Sequence, residues 1–254
     1  MKALIRLLGL VLFLYAAAAG WIYYKQRDLL FVRDANPAPL EGFWLEALPH
    51  ARVWVDRLNP DRPYALLYFP GNTTSDWDDP RRLAKVLPDH TIYFMRYRGY
   101  ANSEGSPSQD TLYADANTLF DRVKKDHKAI DVLGRSLGTG MAVHLTAQRE
   151  ARRLILTTPY DGIALSAEKA YPWLPVALLL KDPFPSFQFA PDVTEKTLVI
   201  LAKGDQKIPY ASSKKLIDVF PKKPEVIALR GTTHSAIVRH PLYLKTVADF
   251  LSTK

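Results

Sequence analysis

The stretch that most constrains the fold runs from Val132 to Gly140, where an apolar segment leads into Gly-Arg-Ser-Leu-Gly around Ser136. The pattern G-x-S-x-G after a strand predicts a sharp strand-to-helix turn that projects the serine hydroxyl into solvent. Gly134 and Gly138 flank the serine because side chains there would clash across so tight a turn. The first N–H groups of the following helix would point at the serine and suit an oxyanion. A glycine-rich turn without chemistry fits the same pattern, so the rest of the chain decides between the two interpretations.

Apolar runs of strand length alternate with helical patterns from Ala65 onward. We predict strands at Phe43–Leu45, Val53–Val55 (joined near Pro49), Ala65–Phe69, Thr91–Met95, Ala129–Leu133, Leu154–Thr157, Thr197–Leu201 and Glu225–Leu229. Helices are predicted at Asp79–Leu87, Asp110–Lys125, after Ser136, and at Ser212–Phe220 and Pro241–Leu251. This alternation predicts an α/β fold with a mostly parallel central sheet of about eight strands and helices on both faces. Ligands then belong at the carboxyl ends of the strands, where Ser136 lies.

The N-terminal residues have a different character. Leu7 to Tyr24 carries no charge, lies between Arg6 and Lys25, and ends in interfacial aromatic residues. As a helix this stretch is about 27 Å long, close to a bilayer core. We predict a transmembrane anchor over residues 1–25, followed by one domain over residues 26–254. A cleaved signal peptide, with Ala16–Ala18 as the cleavage site and a soluble exported product, is the alternative. The flanking charges do not decide the topology.

Composition excludes several classes of function. The chain has 254 residues and no cysteine, which excludes disulfides, thiolate metal sites and cysteine nucleophiles. The net charge of +8 is spread out, and no basic run is interleaved with aromatic residues. We therefore predict no nucleic-acid partner. No pair of histidines has metal-ligand spacing with acidic partners, so neither a metal nor another cofactor is predicted.

A serine nucleophile needs a base, and the base needs an orienting carboxylate. His234 follows the last predicted strand and Asp205 follows the strand before it, so both reach the same sheet edge as Ser136. Their chain order, Ser136, Asp205, His234, is that of the α/β-hydrolases. We predict structural roles for the other histidines, in polar loops (His50, His90), after a lysine-rich helix end (His127), inside the nucleophile helix (His144) and at the start of the last helix (His240).

The oxyanion is expected to bind two backbone N–H groups. One belongs to Leu137, directly after the nucleophile, and the other to Asn72 in the loop Pro70–Thr74 after the Ala65–Phe69 strand. We expect the Asn72 side chain to hold this loop. Arg135 could bind an acidic substrate group, but a structural salt bridge is the preferred interpretation.

The chain resembles the α/β-hydrolases, and within them the small N-terminally anchored serine hydrolases. That group includes depalmitoylating and lysophospholipid-cleaving enzymes and their bacterial relatives. The resemblance rests on Tyr97–Tyr100, Ser103–Pro107, Gly134–Gly138, Asp205–Pro209 and His234. Relatives usually carry His-Gly-Asn where this chain has Pro-Gly-Asn at residues 70–72. Because the required donors lie after the proline, we expect a reshaped loop and retained activity.

Residues 160–191 separate two predicted strands and are expected to form a short cap over the site. Trp173, Leu174 and Leu178 make this segment apolar and are candidates for the wall of an acyl pocket. A helix packed on the core is the alternative.

The sequence therefore predicts a serine hydrolase of carboxylic esters or thioesters with a small acyl-ester or lipid-like substrate. A serine aminopeptidase-like enzyme uses the same three residues, and a catalytically idle membrane-tethered interaction module is the alternative from another class. Acyl length and oligomeric state are left open.

Overall fold

The computed structural model of the chain describes residues 1–32, 40–47, 50–72 and 78–252. The strands are β1 (Gly42–Ala47), β2 (Ala51–Leu58), β3 (Tyr64–Phe69), β4 (His90–Met95), β5 (Ala129–Arg135), β6 (Arg153–Thr157), β7 (Lys196–Ala202) and β8 (Glu225–Leu229). They form one eight-stranded sheet in the order β1-β2-β4-β3-β5-β6-β7-β8. The predicted connection at Pro49 and the loop residues Thr73 and Thr74 lie outside the described residues.

The sheet is antiparallel only at one side. Strand β1 pairs antiparallel with β2, and β2 pairs antiparallel with β4, whereas every other neighbouring pair is parallel. The mostly parallel eight-stranded sheet predicted from the sequence is confirmed. Because the parallel strands share one direction, the loops that follow β3, β5, β7 and β8 meet at a single edge.

Helices cover both faces of this sheet, and one further helix precedes them at the N-terminus. They are α1 (Lys2–Leu30), α2 (Asp79–Val86), α3 (Gln109–Val123), α4 (Leu137–Gln148), α5 (Ile163–Ala170), α6 (Val176–Leu179), α7 (Ser186–Phe189), α8 (Tyr210–Asp218) and α9 (Tyr243–Ser252). Leu67 and Phe69 of β3 pack in a core layer with α3 and α4, while Leu66 and Tyr68 pack in the opposite layer with α2 and α9. Two buried faces explain why the strand residues are apolar without alternation.

Helix α1 continues past the predicted boundary at residue 25 and ends at Leu30. It is long and apolar enough to cross a membrane, by length and composition. Its first half is exposed along its whole surface, but Phe31, directly after it, is buried in the core and packs edge-on against Phe184. The helix is therefore fixed to the domain at its C-terminal end.

The sequence predicts His90 in a polar loop, but the structure places it in a strand. It begins β4 and is buried, with Nε2 2.9 Å from a carboxylate oxygen of Asp131. The prediction was wrong because this carboxylate allows a polar side chain to begin a buried strand. His240 also differs slightly from expectation, since α9 begins three residues after it, at Tyr243.

Candidate active site

The backbone at Ser136 is held in an unusual conformation by its neighbours. Ser136 has φ 48° and ψ −119°, in the left-handed half of backbone space that non-glycine residues avoid. A Cβ at Gly134 would lie 2.5 Å from the Gly138 carbonyl oxygen, and one at Gly138 would lie 2.0 Å from the Phe69 carbonyl oxygen. Both glycines are therefore required, the first to close the turn and the second to let α4 begin against the end of β3.

Two hydrogen bonds hold the turn in place. The Ser136 N–H donates to the Thr157 carbonyl at the end of β6 (2.9 Å), and the Thr139 hydroxyl donates to the Ser136 carbonyl (2.7 Å). With its backbone fixed by β6 and α4, Ser136 presents its hydroxyl at the carboxyl edge of the sheet.

The Ser136 hydroxyl lies at one end of a chain of hydrogen-bonding groups. Its Oγ is 2.9 Å from His234 Nε2, and His234 Nδ1 is 2.8 Å from Asp205 Oδ2. The other Asp205 oxygen, Oδ1, accepts the N–H groups of Lys207 and Ile208, each at 2.9 Å. The structure thus brings together the three side chains singled out from the sequence, on the loops after β5, β7 and β8.

The charge on Asp205 is favoured by its contacts. Burial alone would raise the pKa of this carboxyl, but the hydrogen bond from His234 and the two backbone N–H groups outweigh it, so the pKa lies below its ordinary value. An ionised Asp205 holds the proton of His234 on Nδ1. That tautomer leaves Nε2 as an acceptor facing the Ser136 hydroxyl.

The loop after β3 lies beside the start of α4, and Asn72, Leu137 and Ser136 line the same cavity. Leu137 is the first residue of α4, so its N–H has no partner within the helix. The Asn72 side chain donates to the Leu30 carbonyl (3.0 Å), as expected for a residue that holds the loop.

The same loop is held at Pro70. The Tyr97 hydroxyl, from the segment that resembles known hydrolases, donates to the Pro70 carbonyl at 2.5 Å. Pro70 has no N–H to donate, but its carbonyl accepts this hydrogen bond and so helps to fix the loop.

Arg135 is buried and is not among the residues that line the cavity at Ser136. Its guanidinium donates to the Ser235 carbonyl (3.2 Å), next to His234, and lies 3.8 Å from a carboxylate oxygen of Asp79. These contacts agree with the structural interpretation of Arg135. Asp79 is itself buried, and burial raises its pKa to about 6 despite the hydrogen bond from Tyr68 and the charge of Arg82.

A cavity of about 360 Å³ opens at Ser136 and His234. The cap contributes much of its wall, from α5, α6 and the segment between them. The expected pocket residue Leu174 is in this wall, but Trp173 and Leu178 are not. These two side chains are 46% and 85% exposed because they lie on the outer surface of the cap, away from the cavity.

Residues of α1 complete the wall and were not predicted from the sequence; they are Ile22, Tyr23, Gln26, Leu29 and Leu30. Ile22 and Leu29 are separated by seven residues and so lie on one face of the helix. The spacing can be read from the sequence, but the sequence does not show which surface of the domain this face of α1 contacts. Within the ranges that the structure describes, no group of histidine, aspartate and glutamate side chains could hold a metal ion.

Several known proteins are similar to the chain in sequence, although no protein-family model matches it. An uncharacterised protein of Mycobacterium tuberculosis (strain ATCC 25618 / H37Rv) is 27% identical over 252 residues, 91% of this chain and 89% of that protein. Lysophosphatidylserine lipase ABHD12 of Danio rerio is 28% identical over 244 residues, which cover 83% of this chain and 64% of that relative. Alpha/beta hydrolase domain-containing protein 17C of Homo sapiens is 27% identical over 250 residues, 92% of this chain and 70% of the relative.

Solved structures share the fold at lower sequence identity. An esterase of Pyrococcus furiosus superposes with a TM-score of 0.68 at 16% identity, covering 85% of this chain and 98% of that one. An esterase of Exiguobacterium antarcticum superposes with a TM-score of 0.64 at 15% identity, covering 84% of this chain and 100% of that one. At such identities the likeness establishes a common fold.

Proposed function

We propose that this chain, an α/β-hydrolase by its fold and its relatives, is a serine hydrolase that cleaves carboxylic esters or thioesters with lipid-like acyl groups. The observation that carries the proposal is the 2.9 Å contact between Ser136 Oγ and His234 Nε2 at the mouth of an apolar cavity. A serine hydroxyl with an oriented imidazole at this distance is set up for nucleophilic attack.

In the proposed mechanism, Ser136 Oγ attacks the acyl carbon while His234 Nε2 takes its proton. The negative charge that develops on the acyl oxygen is held by the N–H groups of Leu137 and Asn72. His234 then gives the proton to the leaving alcohol or thiol, and the acyl group stays on Ser136. A water molecule, deprotonated by the same nitrogen, attacks the acyl-enzyme and releases the acid. Asp205 keeps the proton on Nδ1 and stabilises the imidazolium that forms twice in the cycle.

Two features support an acyl ester over a peptide as the substrate. The cavity wall is mainly aliphatic, from Ile163, Leu174 and Val176 of the cap to Leu29 of α1. The acidic side chain among the lining residues, Asp182, already binds Arg27 at 2.7 Å. A substrate amino group would have to compete with that guanidinium. The lipase named among the relatives acts on a lysophospholipid, which agrees with this substrate class.

We also propose that α1 anchors the enzyme in a membrane. One support is the length of the apolar helix. The other is its first half, where every large apolar side chain from Leu7 to Leu14 is more than half exposed. Such a surface is unfavourable in water and suits a lipid environment.

The experiment that tests this function compares the full chain in detergent with Ser136→Ala and with Ser106→Ala, an exposed loop serine that serves as the control. A fluorophosphonate probe should label the wild type and Ser106→Ala but not Ser136→Ala. On p-nitrophenyl esters, loss of the nucleophile should reduce kcat by about 10⁶, on the order of 8 kcal/mol. A folded wild type that takes up no probe would contradict the proposal and favour an interaction module. Faster turnover of aminoacyl amides than of any ester would favour a peptidase.

A further inference from the structure

The cavity runs alongside α1. At one end, the Leu30 carbonyl accepts a hydrogen bond from Asn72, which lines the cavity together with Ser136. At the other end, the wall extends to Ile22. At about 1.5 Å per residue, the segment of helix between Ile22 and Leu30 is about 12 Å long. A straight apolar group bound at Ser136 would therefore extend along α1 toward the half of the helix that is exposed and apolar.

Helix α1 and the cap are joined into one wall by polar contacts. The Gln26 side chain donates to the Leu179 carbonyl (3.0 Å) and accepts the Lys181 N–H (2.7 Å). Arg27 makes two hydrogen bonds to Asp182, at 2.7 and 3.2 Å, and this carboxylate also accepts the N–H of Gln109 at the start of α3. Because these contacts fix its position, α1 is part of the site and not only a tether.

The cap reaches far along the apolar part of the helix. The Tyr15 hydroxyl donates to the Trp173 carbonyl (3.1 Å), and the two rings pack edge to face. Tyr15 lies about 14 Å along α1 from Tyr24, the last residue of the uncharged stretch. That is close to half of a bilayer core about 30 Å thick. If the stretch from Leu7 to Tyr24 spans the bilayer, Trp173 lies at the depth of the acyl chains.

The outer surface of the cap fits this position. Trp173 and Leu178 are exposed apolar side chains of the cap. Both lie beside α1, because Trp173 contacts Tyr15 and the neighbour of Leu178, Leu179, accepts a hydrogen bond from Gln26. Cationic groups lie near the other end of the uncharged stretch, where Lys181 stacks over Tyr23 (4.1 Å) and Lys25 pairs with Asp28. Apolar groups toward the bilayer centre and cations toward its surface are the order that a lipid leaflet requires.

We propose that the cavity is filled from the bilayer, by the acyl chain of a membrane-resident ester that enters between α1 and the cap. The chain lies against Ile22 and Leu29, and its carbonyl reaches Ser136. This inference rests on the proposed hydrolase function and on the anchor, and it makes α1 a determinant of acyl-chain specificity.

The first test replaces two isoleucines of α1 by tryptophan, one in the cavity wall and one on the exposed half of the helix. In the full chain in lipid vesicles, Ile22→Trp should block the far part of the cavity, while Ile5→Trp, on the exposed half, is the matched control. We expect Ile22→Trp to lower kcat/KM at least tenfold for C12 to C16 p-nitrophenyl esters and to leave the C4 ester within twofold. Ile22→Ala, which removes bulk, should shift the preferred chain length upward. Ile5→Trp should retain the wild-type profile.

The outcomes separate the inference from the function on which it rests. A wild type that hydrolyses no ester and takes up no fluorophosphonate refutes the hydrolase itself. A wild type that is active, with the same chain-length profile in Ile22→Trp and Ile5→Trp, overturns the role of α1. An equal loss on all esters in Ile22→Trp, with no shift in Ile22→Ala, assigns Ile22 a structural role and also overturns it.

The second test measures the route of entry. A fluorogenic C16 ester is placed either in the vesicles that carry the enzyme or in separate vesicles, and a water-soluble C4 ester serves as the reference. Entry from the bilayer predicts at least tenfold faster hydrolysis when the ester shares the enzyme's vesicles, with no difference for the C4 ester. Equal rates in the two arrangements, or an enzyme that a carbonate wash removes from the vesicles, would overturn the proposal.

Discussion

Two histidine–aspartate pairs lie at opposite edges of the same sheet with nearly the same nitrogen–oxygen distance, through Nδ1 of His234 and Nε2 of His90. His234 is 2.8 Å from Asp205 at the carboxyl edge, and His90 is 2.9 Å from Asp131 at the amino edge. Both histidines are almost fully buried. Asp131 and Ser136 belong to the same stretch of chain through β5, about 16 Å apart at roughly 3.3 Å per residue. The same pair of side chains therefore occurs twice, with different surroundings.

The third partner and the neighbouring space make the difference. Next to His234 is the hydroxyl of Ser136, on a strained turn that faces a cavity. Next to His90 is Arg152, whose guanidinium makes two hydrogen bonds to Asp131 and stacks over Tyr64 (4.2 Å). A hydroxyl can lose its proton to the imidazole, whereas a guanidinium cannot act as a nucleophile. The proposed catalytic pair thus differs from the pair at the amino edge in having a neighbouring hydroxyl and a cavity with room for a substrate.

After removal of the Ser136 hydroxyl itself, the largest expected effect comes from Asp205→Asn. The asparagine oxygen can keep the two backbone N–H groups, but its NH₂ group would then face His234 Nδ1. The imidazole would have to carry its proton on Nε2 and could no longer accept the proton of Ser136. By analogy with a measured triad, kcat should fall by about 10⁴ while the melting temperature changes little. Ester hydrolysis and thermal unfolding of the same preparation measure both quantities. An activity within tenfold of the wild type would contradict the role proposed for Asp205.

The matched substitution at the other edge, Asp131→Asn, should have the opposite signature. It leaves the Arg152 guanidinium without its carboxylate and weakens the contact of His90. Removing one partner of a buried ion pair costs roughly 3–5 kcal/mol, and we expect the lower end because Arg152 is 24% exposed. Urea unfolding should show this loss, whereas kcat per folded molecule should stay within twofold of the wild type. A large fall in kcat with unchanged stability would mean that the two pairs are coupled across the sheet.

The contrast also explains which parts of the molecule could be predicted from the sequence. Ser136, Asp205 and His234 could be placed together because each lies in the loop or turn after a parallel strand, and strand direction determines the edge at which such a residue lies. The steric role of Gly134 and Gly138 is equally local. In each case the information is contained within a few residues of the chain.

The parts that failed depend on contacts between distant segments. His90 was assigned to a loop because its partner, Asp131, is 41 residues away along the chain. Trp173 and Leu178 were assigned to the pocket because apolar residues in a cap are expected to face inward, yet both are exposed and do not line the cavity. The wall formed by Ile22 and Leu29 depends on where α1 packs against the cap. Hydrogen bonds from Gln26 and Arg27 to the cap determine that position. Hydrophobic pattern gives the face of a helix but not the surface that it contacts.

Asp79 is a second carboxyl near the edge of the sheet that carries Ser136, and its pKa is shifted in the opposite direction to that of Asp205. Burial raises its pKa to about 6, although Tyr68 and Arg82 bond to it and Arg135 lies 3.8 Å away. The unfolded chain loses the Asp79 proton near the ordinary aspartate pKa of 3.8, so between about pH 4 and pH 6 the folded state binds more protons. This carboxyl therefore makes the protein less stable as pH rises through that window, and the loss is complete above about pH 6.

Asp79→Asn tests this sign and is the smallest effect that we predict. The amide cannot ionise, so the part of the fall in stability that Asp79 causes should disappear. Since one pKa unit corresponds to about 1.4 kcal/mol, the difference between variant and wild type should change by on the order of 1 kcal/mol between pH 5 and pH 7. Relative to the wild type, the variant should be more stable at pH 7 than at pH 5. Loss of the hydrogen bonds of the carboxylate adds a constant cost at both pH values and does not affect this change. Urea midpoints of both proteins at the two pH values provide the measurement. A change in the opposite direction would mean that Arg82 and Arg135 outweigh burial, and that Asp79 is held ionised in the same way as Asp205.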